Sequence, residues 1–382
     1  MDFSLSDEQL VIKKMGADFA KNEITPIAAE AERTGNPPYD VISKMGELGM
    51  MGVPFPEKYG GSGGDWVSQM ILAEELSKAD PGIGGMLDVT CIVAEELYRF
   101  GTEEQKQKWL IPIVKGEKIG AFALTEPEAG SDAGATKTTA VLDGDNWVIN
   151  GTKQFITNIA LDNASIVILT AKCPQLENSL GKKRVINTFI VPKGTPGFNI
   201  ATHWDKLAWK WLPSVELRFD NCKIPKDYIL GEEGRGFAQH LEVLQTGRIF
   251  VAAIAVGVAR ACFEDALTYA KERHQFGQPI YNFQSISFKL ADMSMYIELA
   301  RQMYLKAAWL KDNGKSYTME ASYAKLFASE MAEKVASDAV QIHGGYGLMA
   351  DFPVSRFYAA AKLLQIVEGT SEVQRLVISR NL

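Results

Sequence analysis

The chain has 382 residues, which suits two or three packed units and a sizeable core. Hydrophobic residues at 46% and charged residues at 23% are ordinary for a globular protein, and a net charge of -7 with pI near 5.4 gives no electrostatic case for nucleic acid. Four cysteines without CxxC spacing and four histidines (His203, His240, His274, His343) without ligand spacing argue against a zinc framework, so reduced thiols and no metal are expected.

The start of the chain, Met1-Asp-Phe-Ser-Leu-Ser-Asp-Glu8, is acidic and polar, and no uninterrupted apolar run reaches spanning length. A soluble, cytoplasmic protein without membrane insertion is therefore expected. From Ser6 to about Gly116 apolar residues recur at helical spacing, as in Ile12, Met15 and Phe19, with breaks at Asn36-Pro-Pro and Gly60-Gly-Ser-Gly-Gly64. From about Lys118 to Pro225 the pattern changes to short β-prone runs, such as Ile166 to Ala171 and Val185 to Val191, separated by Asp143-Gly and Lys193-Gly-Thr-Pro-Gly197. After Gly231-Glu-Glu-Gly-Arg-Gly236, read as a domain linker because no Walker-type lysine follows, long amphipathic helices return. The expected architecture is α+β and multidomain: an all-α unit over 1–117, a β unit over 118–230 and an α-helical unit over 231–382.

Three segments carry chemistry. Ile366-Val-Glu-Gly-Thr-Ser-Glu-Val-Gln-Arg375 sets Glu368 before a glycine and a helix start, where a carboxylate is a candidate base, although Ser and Thr followed by Glu also make an ordinary N-terminal cap. Ala123-Leu-Thr-Glu-Pro-Glu-Ala-Gly-Ser-Asp132 ends a strand in a polar turn whose hydroxyls, at Thr125 and Ser131, and N–H groups suit a ring edge or a pyrophosphate. In Asn150-Gly-Thr-Lys-Gln-Phe-Ile-Thr157, Phe155 suits a flat cofactor, and Thr157 offers it a hydroxyl, though an aromatic in a sheet is more often core.

These segments, with ERHQFGQPI at 272–280, FQ at 283–284 and QIHGGYG at 341–347, resemble the acyl-CoA dehydrogenase family of flavoproteins over essentially the whole chain, nearest its short-chain, butyryl-CoA-dehydrogenase-like branch. The resemblance implies an N-terminal helical domain, a middle β-barrel and a C-terminal four-helix bundle, FAD as cofactor, an acyl-CoA substrate, electron-transferring flavoprotein as acceptor and a homotetramer. It implies that Glu368 takes the α-proton while the β-hydrogen passes as hydride to the flavin, with the backbone N–H of Glu368 helping to hold the thioester carbonyl. Desolvation would raise the pKa of such a base. Phe122, Leu124, Thr125, Ser131, Phe155 and Thr157 would line the FAD. Arg273, Phe276 and Gln284 would also serve it, Arg273 and Gln284 from a neighbouring subunit, and Gln341, Gly344, Gly345, Thr370 and Glu372 would complete the site. The guanidinium fork of Arg273 suits phosphate oxygens, and a surface ion pair is its bland alternative. Ser131, Gln245, Arg248, Val367 and Gly369 match substrate-touching positions.

Departures from the family pattern bear on the acyl group. Gln245 stands where Asp is common, and Val367 where Tyr usually precedes the base, which opens space for a bulkier acyl group. Leu207-Ala-Trp-Lys-Trp-Leu-Pro-Ser214 and Ala359-Ala360 also depart, the alanines suggesting a packing change. Asp88 lies in the otherwise apolar Gly82-Ile-Gly-Gly-Met-Leu-Asp-Val-Thr-Cys-Ile-Val-Ala94, where a bare carboxylate is costly to bury. A subgroup acting on cyclohexenecarboxyl-CoA thioesters is similar in using an Asp of this region as a base, so Asp88 is read as a second pocket carboxylate, catalytic on an alicyclic acyl group such as cyclohexanecarboxyl-CoA. Its bland alternative is an Asp at a helix end paired with a lysine or solvent. The expected activity is FAD-dependent dehydrogenation of a short, branched or cyclic acyl-CoA. The alternatives are an enoyl-CoA reductase of aryl-acrylyl type running in reverse and, from another class, a non-catalytic flavin-binding electron-transfer module.

Overall fold

The computed structural model describes residues 4–181 and 183–382. Its N-terminal part is helical: α1 (Asp7–Phe19), α2 (Thr25–Thr34), α3 (Tyr39–Glu47), α4 (Trp66–Ala79), α5 (Pro81–Phe100) and the short α6 (Glu103–Gln105) and α7 (Ile111–Val114). Local chemistry starts these helices. Ser6 and Gln9 close a capping box on α1, and Asp65 caps α4 by accepting from Ser68 N. Asp80 accepts from Gly82 N ahead of Pro81, at the start of α5.

The middle part holds β1 (Ile119–Ala123), β2 (Thr139–Asp143), β3 (Asn146–Thr157), β4 (Ala164–Lys172), a short α8 (Pro174–Ser179), β5 (Ile186–Pro192), β6 (Phe198–His203), β7 (Ser214–Pro225) and β8 (Ile229–Leu230). Hydrogen bonding runs β6-β7-β3-β2-β4-β5-β8, and β1 pairs parallel with β4, with Gly120 opposite Ile166. The register of β3 on β7 slips between Lys153 and Ile156, so Gln154 and Phe155 together face the single Glu216. Such a bulge bends the strand and re-aims its side chains.

The C-terminal part contains α9 (Gly236–Glu272), the hairpin β9 (His274–Gln275) and β10 (Gln278–Pro279), α10 (Gln284–Asp312), α11 (Thr318–His343), α12 (Pro353–Leu364) and α13 (Ser371–Arg380). α9 is long and apolar enough to cross a membrane, but most of that stretch is buried here against α4, α5, α10, α11 and α12. It is the central core helix. One main apolar core runs through all three parts, from Phe19 and Met45 through Val167 and Phe189 to Ile254 and Leu364. The glycine segment before α9 is a tight passage: a Cβ at Gly236 would lie 2.4 Å from Thr188 N. All four cysteines are free and buried, and no cluster of three metal-ligating side chains occurs among the described residues.

Candidate active site

Glu368 occupies the turn between α12 and α13, at φ 54°, followed by Gly369 at φ 94°. A non-glycine residue there costs of order 1–3 kcal/mol and persists only where its surroundings hold it. Gln374, wholly buried, supplies that hold: its Nε2 donates to Glu368 O at 3.2 Å and Gly369 O at 2.9 Å. Ser371 N donates to Gln365 O at 3.1 Å across the same turn. The capping role falls to Thr370, whose Oγ1 accepts from Val373 N. Glu368 is thus free of capping work.

Its carboxylate points into the protein. Oε2 is sealed from solvent without a hydrogen-bond partner, and Gly247 on α9 makes room for it, since a Cβ there would lie 2.7 Å from Oε2. Burial pushes the Glu368 carboxyl up to about 7, against the opposing pull of Arg248 and then Lys325. Asp88 sits in the interior of α5, 4% exposed, with Oδ1 unpartnered. Burial and then the charge of Glu368 push Asp88 well above the usual carboxylate range. The bland expectation for Asp88 therefore fails: it lies neither at a helix end nor on a lysine. Arg248 Nε and Lys325 Nζ are also sealed and unpartnered.

Around this pocket, Gln245 turns its Oε1 to Thr318 Oγ1 at 2.8 Å, joining α9 to α11. Val367 is half-buried against the main core. Trp209 and Trp211 pack within the chain against the glycines of α5. A Cβ at Gly85 would lie 2.6 Å from the Trp209 ring and one at Gly82 2.9 Å from Trp211, whose Nε1 donates to Asp80 at 3.0 Å. Asn158, at φ 74°, ties β3 to this helix by donating to Met86 O, Thr90 Oγ1 and Gly120 O. Ala360 is wholly buried on α12, which fits a packing change there.

The β part presents the second group of residues. Phe155 sits in the β3 bulge at φ 61° and is 57% exposed beside Trp204, so it is not core and offers a bare ring face. Thr157 is half-buried at the end of β3, opposite Ser214. The loop after β1 is fixed from beneath by Lys153, wholly buried, which donates to Leu124 O at 3.0 Å and pairs with Glu126 at 2.8 Å. Gln154 N donates to Thr125 O at 2.8 Å, which leaves the Thr125 side chain half-buried and Ser131 exposed above this anchor. The ring of Phe122 is stacked on His240 of α9 at 3.6 Å, so that ring joins β1 to the helical core.

A third group lies on the C-terminal helices. Arg273, Gly344 and Gly345 line one cleft of about 570 Å³ with Tyr269, His343 and Tyr346. Gly344 adopts φ 61°, and space stands open above both glycines, a cradle that a close-approaching ligand needs. Arg273 is exposed and has no ion pair among the described residues, which removes its bland alternative. Phe276 stands 93% exposed at the β9–β10 tip, at φ 56°. Gln284 and Gln341 are exposed outside the cleft lining, and Glu372 is exposed in the first turn of α13. The lining of this cleft includes none of Glu368, Asp88, Arg248 and Lys325. A ring face, a glycine cradle and an unpaired guanidinium fit a flavin dinucleotide.

A helix–sheet–helix chain with an inward carboxylate, one oxygen of it sealed, and flavin-fitting surfaces defines a flavin-dependent oxidoreductase. Three family models match: the acyl-CoA dehydrogenase N-terminal domain over residues 6–117, the middle domain over 121–222 and the C-terminal domain over 234–382. The chain belongs to the acyl-CoA dehydrogenase family, oxidoreductases acting on CH–CH groups with FAD as cofactor. It is 50% identical to a probable acyl-CoA dehydrogenase of Bacillus subtilis, covering all of both chains. It is 46% identical to a short-chain specific acyl-CoA dehydrogenase of Clostridium acetobutylicum, covering 99% of each. The solved butyryl-CoA dehydrogenase of Megasphaera elsdenii matches with a TM-score of 0.95 at 43% identity, over 100% of this chain and 99% of that one.

Sequence reasoning missed Gln374, Gly247, Lys153 and Lys325. The first three lie in or beside the motifs, so their signal was position; Lys325, in Ala324-Lys-Leu-Phe-Ala328, reads as a surface lysine.

Proposed function

We propose that Glu368 is the base of a short-chain acyl-CoA dehydrogenase whose pocket takes a branched or alicyclic acyl group, with Asp88 as a second carboxylate in that pocket. The observation that carries this reading is the Glu368 carboxylate at a clamped turn, with Oε2 sealed and unpartnered and its pKa raised to about 7 by burial against the pull of Arg248 and Lys325. A carboxylate tuned there matches the working pH of proton abstraction. On the family likeness, its own backbone N–H would help hold a developing thioester oxyanion.

Bound FAD supplies the hydride acceptor. Phe155, Thr157, Thr125, Ser131 and the carbonyl-bearing loop at Leu124 would hold its ring system, with Thr370 at the start of α13. Arg273, Phe276, Gln284, Gln341, Gly344 and Gly345 would hold its dinucleotide end. The lining of the Arg273 cleft does not include Glu368, and on the family likeness the reading includes cross-subunit sharing and a homotetramer. Arg248 and Gly369 border the reacting end of the acyl chain. Gln245, engaged with Thr318, fixes two helices of the pocket rather than reaching freely to substrate. Val367 in place of a larger ring and the α5 glycines filled by tryptophans support a reshaped acyl pocket. Electron-transferring flavoprotein is the proposed acceptor, on the family likeness.

Anaerobic mixing of the FAD-loaded protein with butyryl-, isobutyryl-, phenylpropionyl- and cyclohexanecarboxyl-CoA tests this. Rapid flavin bleaching by branched or cyclic members, lost for the cyclic ones in D88N, is expected. Bleaching by butyryl-CoA alone would reduce the reading to a plain short-chain enzyme, and no bleaching by any thioester would favour a flavin module without turnover.

A further inference from the structure

We infer that Lys325 is a positioning residue for Glu368: its ammonium, with Arg248, forms a cationic wall that keeps the carboxylate ionised and turned inward. The inference rests on the reading of Glu368 as the base, and it adds a group that neither the motifs nor the family likeness assigns. Lys325 is wholly buried on α11 and its Nζ has no hydrogen-bond partner, a costly state for an ammonium unless a nearby charge compensates it.

The helix registers point to Glu368 as that charge. Arg375 of α13 pairs with Glu330 of α11 at 2.7 Å, and one to two turns back along each helix lie the start of α13, with Glu368 before it, and Lys325. Thr318 of α11 bonds Gln245 of α9, so the same face of α11 (Thr318, Ser322, Lys325, Ser329) runs along the helix that carries Gly247 and Arg248.

The charged groups facing Lys325 are Glu368 and Glu372 from α13 and its preceding turn, Arg248 from α9, and Glu330 from its own helix. Glu330 is taken by Arg375, and Glu372 is exposed. Glu368 is the one with a sealed, unpartnered oxygen. The charge of Glu368 in turn raises Asp88 on α5, so one acid and two cations neighbour the base. Burial pulls Lys325 down to about 8, with Glu368 the largest opposing influence, so it remains an ammonium at neutral pH.

The test uses FAD-loaded wild type, K325M and K325R. In each, the protonated carboxyl stretch of Glu368, assigned by its loss in E368Q, is followed by infrared difference spectroscopy against pH. The account predicts that its midpoint rises by about one pH unit in K325M, the size expected for removing one nearby charge, and returns toward wild type in K325R. K325Q, polar but uncharged, should shift it equally and serves if K325M does not fold. An unmoved midpoint in the uncharged variants, or an equal shift in K325R, overturns the inference. This readout needs no turnover, so a wild-type protein that no thioester bleaches would sink the functional reading separately.

Discussion

Two buried charge clusters in this chain are built on opposite terms. In the first, Glu74 of α4 accepts from Arg260 at 2.7 Å and from Arg301 at 2.8 Å, with Tyr304 Oη also on its carboxylate. Burial alone would raise the Glu74 carboxyl, yet Arg301, Arg260 and Tyr304 hold it below its ordinary value. In the second, Glu368, Asp88, Arg248 and Lys325 each leave a polar atom sealed and unpartnered, and both acids are pushed up. The satisfied cluster joins α4, α9 and α10; the unsatisfied one has its bonding capacity left over for a substrate. Buried polar groups are usually paired, and four orphans gathered around one turn are what the proposed site rests on.

The comparison breaks most visibly through Glu368 itself. E368Q should lower the rate of flavin bleaching by about 10²–10⁴-fold, the range for loss of a general base, while thermal unfolding stays near wild type or moves up. E74Q should do the reverse, costing about 3–5 kcal/mol in denaturant unfolding as two arginines lose their shared carboxylate. If E74Q left stability untouched, the first cluster would not be structural.

Smaller effects sharpen it. G247A places a Cβ 2.7 Å from Glu368 Oε2, so the carboxylate must shift. Misplacement on the order of 1 Å costs roughly 10²-fold in rate, and the expected drop is in the bleaching rate, with FAD content retained. The pH dependence follows from the same carboxylate. Only its ionised form accepts a proton, and burial raises it to about 7, so the bleaching rate should climb as pH rises through that point and level off above it. A rate already level at lower pH would show a carboxylate that burial does not raise.

Much of this was legible in the sequence. Periodicity separated helices from strands and back again, and the segment at 366–375 offers Glu368 as a candidate base beside an ordinary cap, with the family likeness favouring the base. What sequence could not show is what packing decides. Phe155 suits a flat cofactor, with sheet core as its bland alternative, and the register slip against β7, where it stands exposed, decides between them. Asp88 was flagged by its apolar neighbours, but whether it met a lysine depended on which helix lay opposite. Lys325 has the long, flexible side chain of a surface residue, and its burial exists only through the helices packed on α11, α9 foremost among them.

The most direct test of the central claim is anaerobic stopped-flow bleaching of the FAD-loaded wild type and E368Q by the acyl-CoA that the wild type reduces fastest, followed across pH. The account predicts a wild-type rate that rises through about pH 7 and an E368Q protein that binds flavin and thioester but scarcely bleaches. A Glu368→Gln protein that bleaches at the wild-type rate, with the same pH profile, would place the base elsewhere.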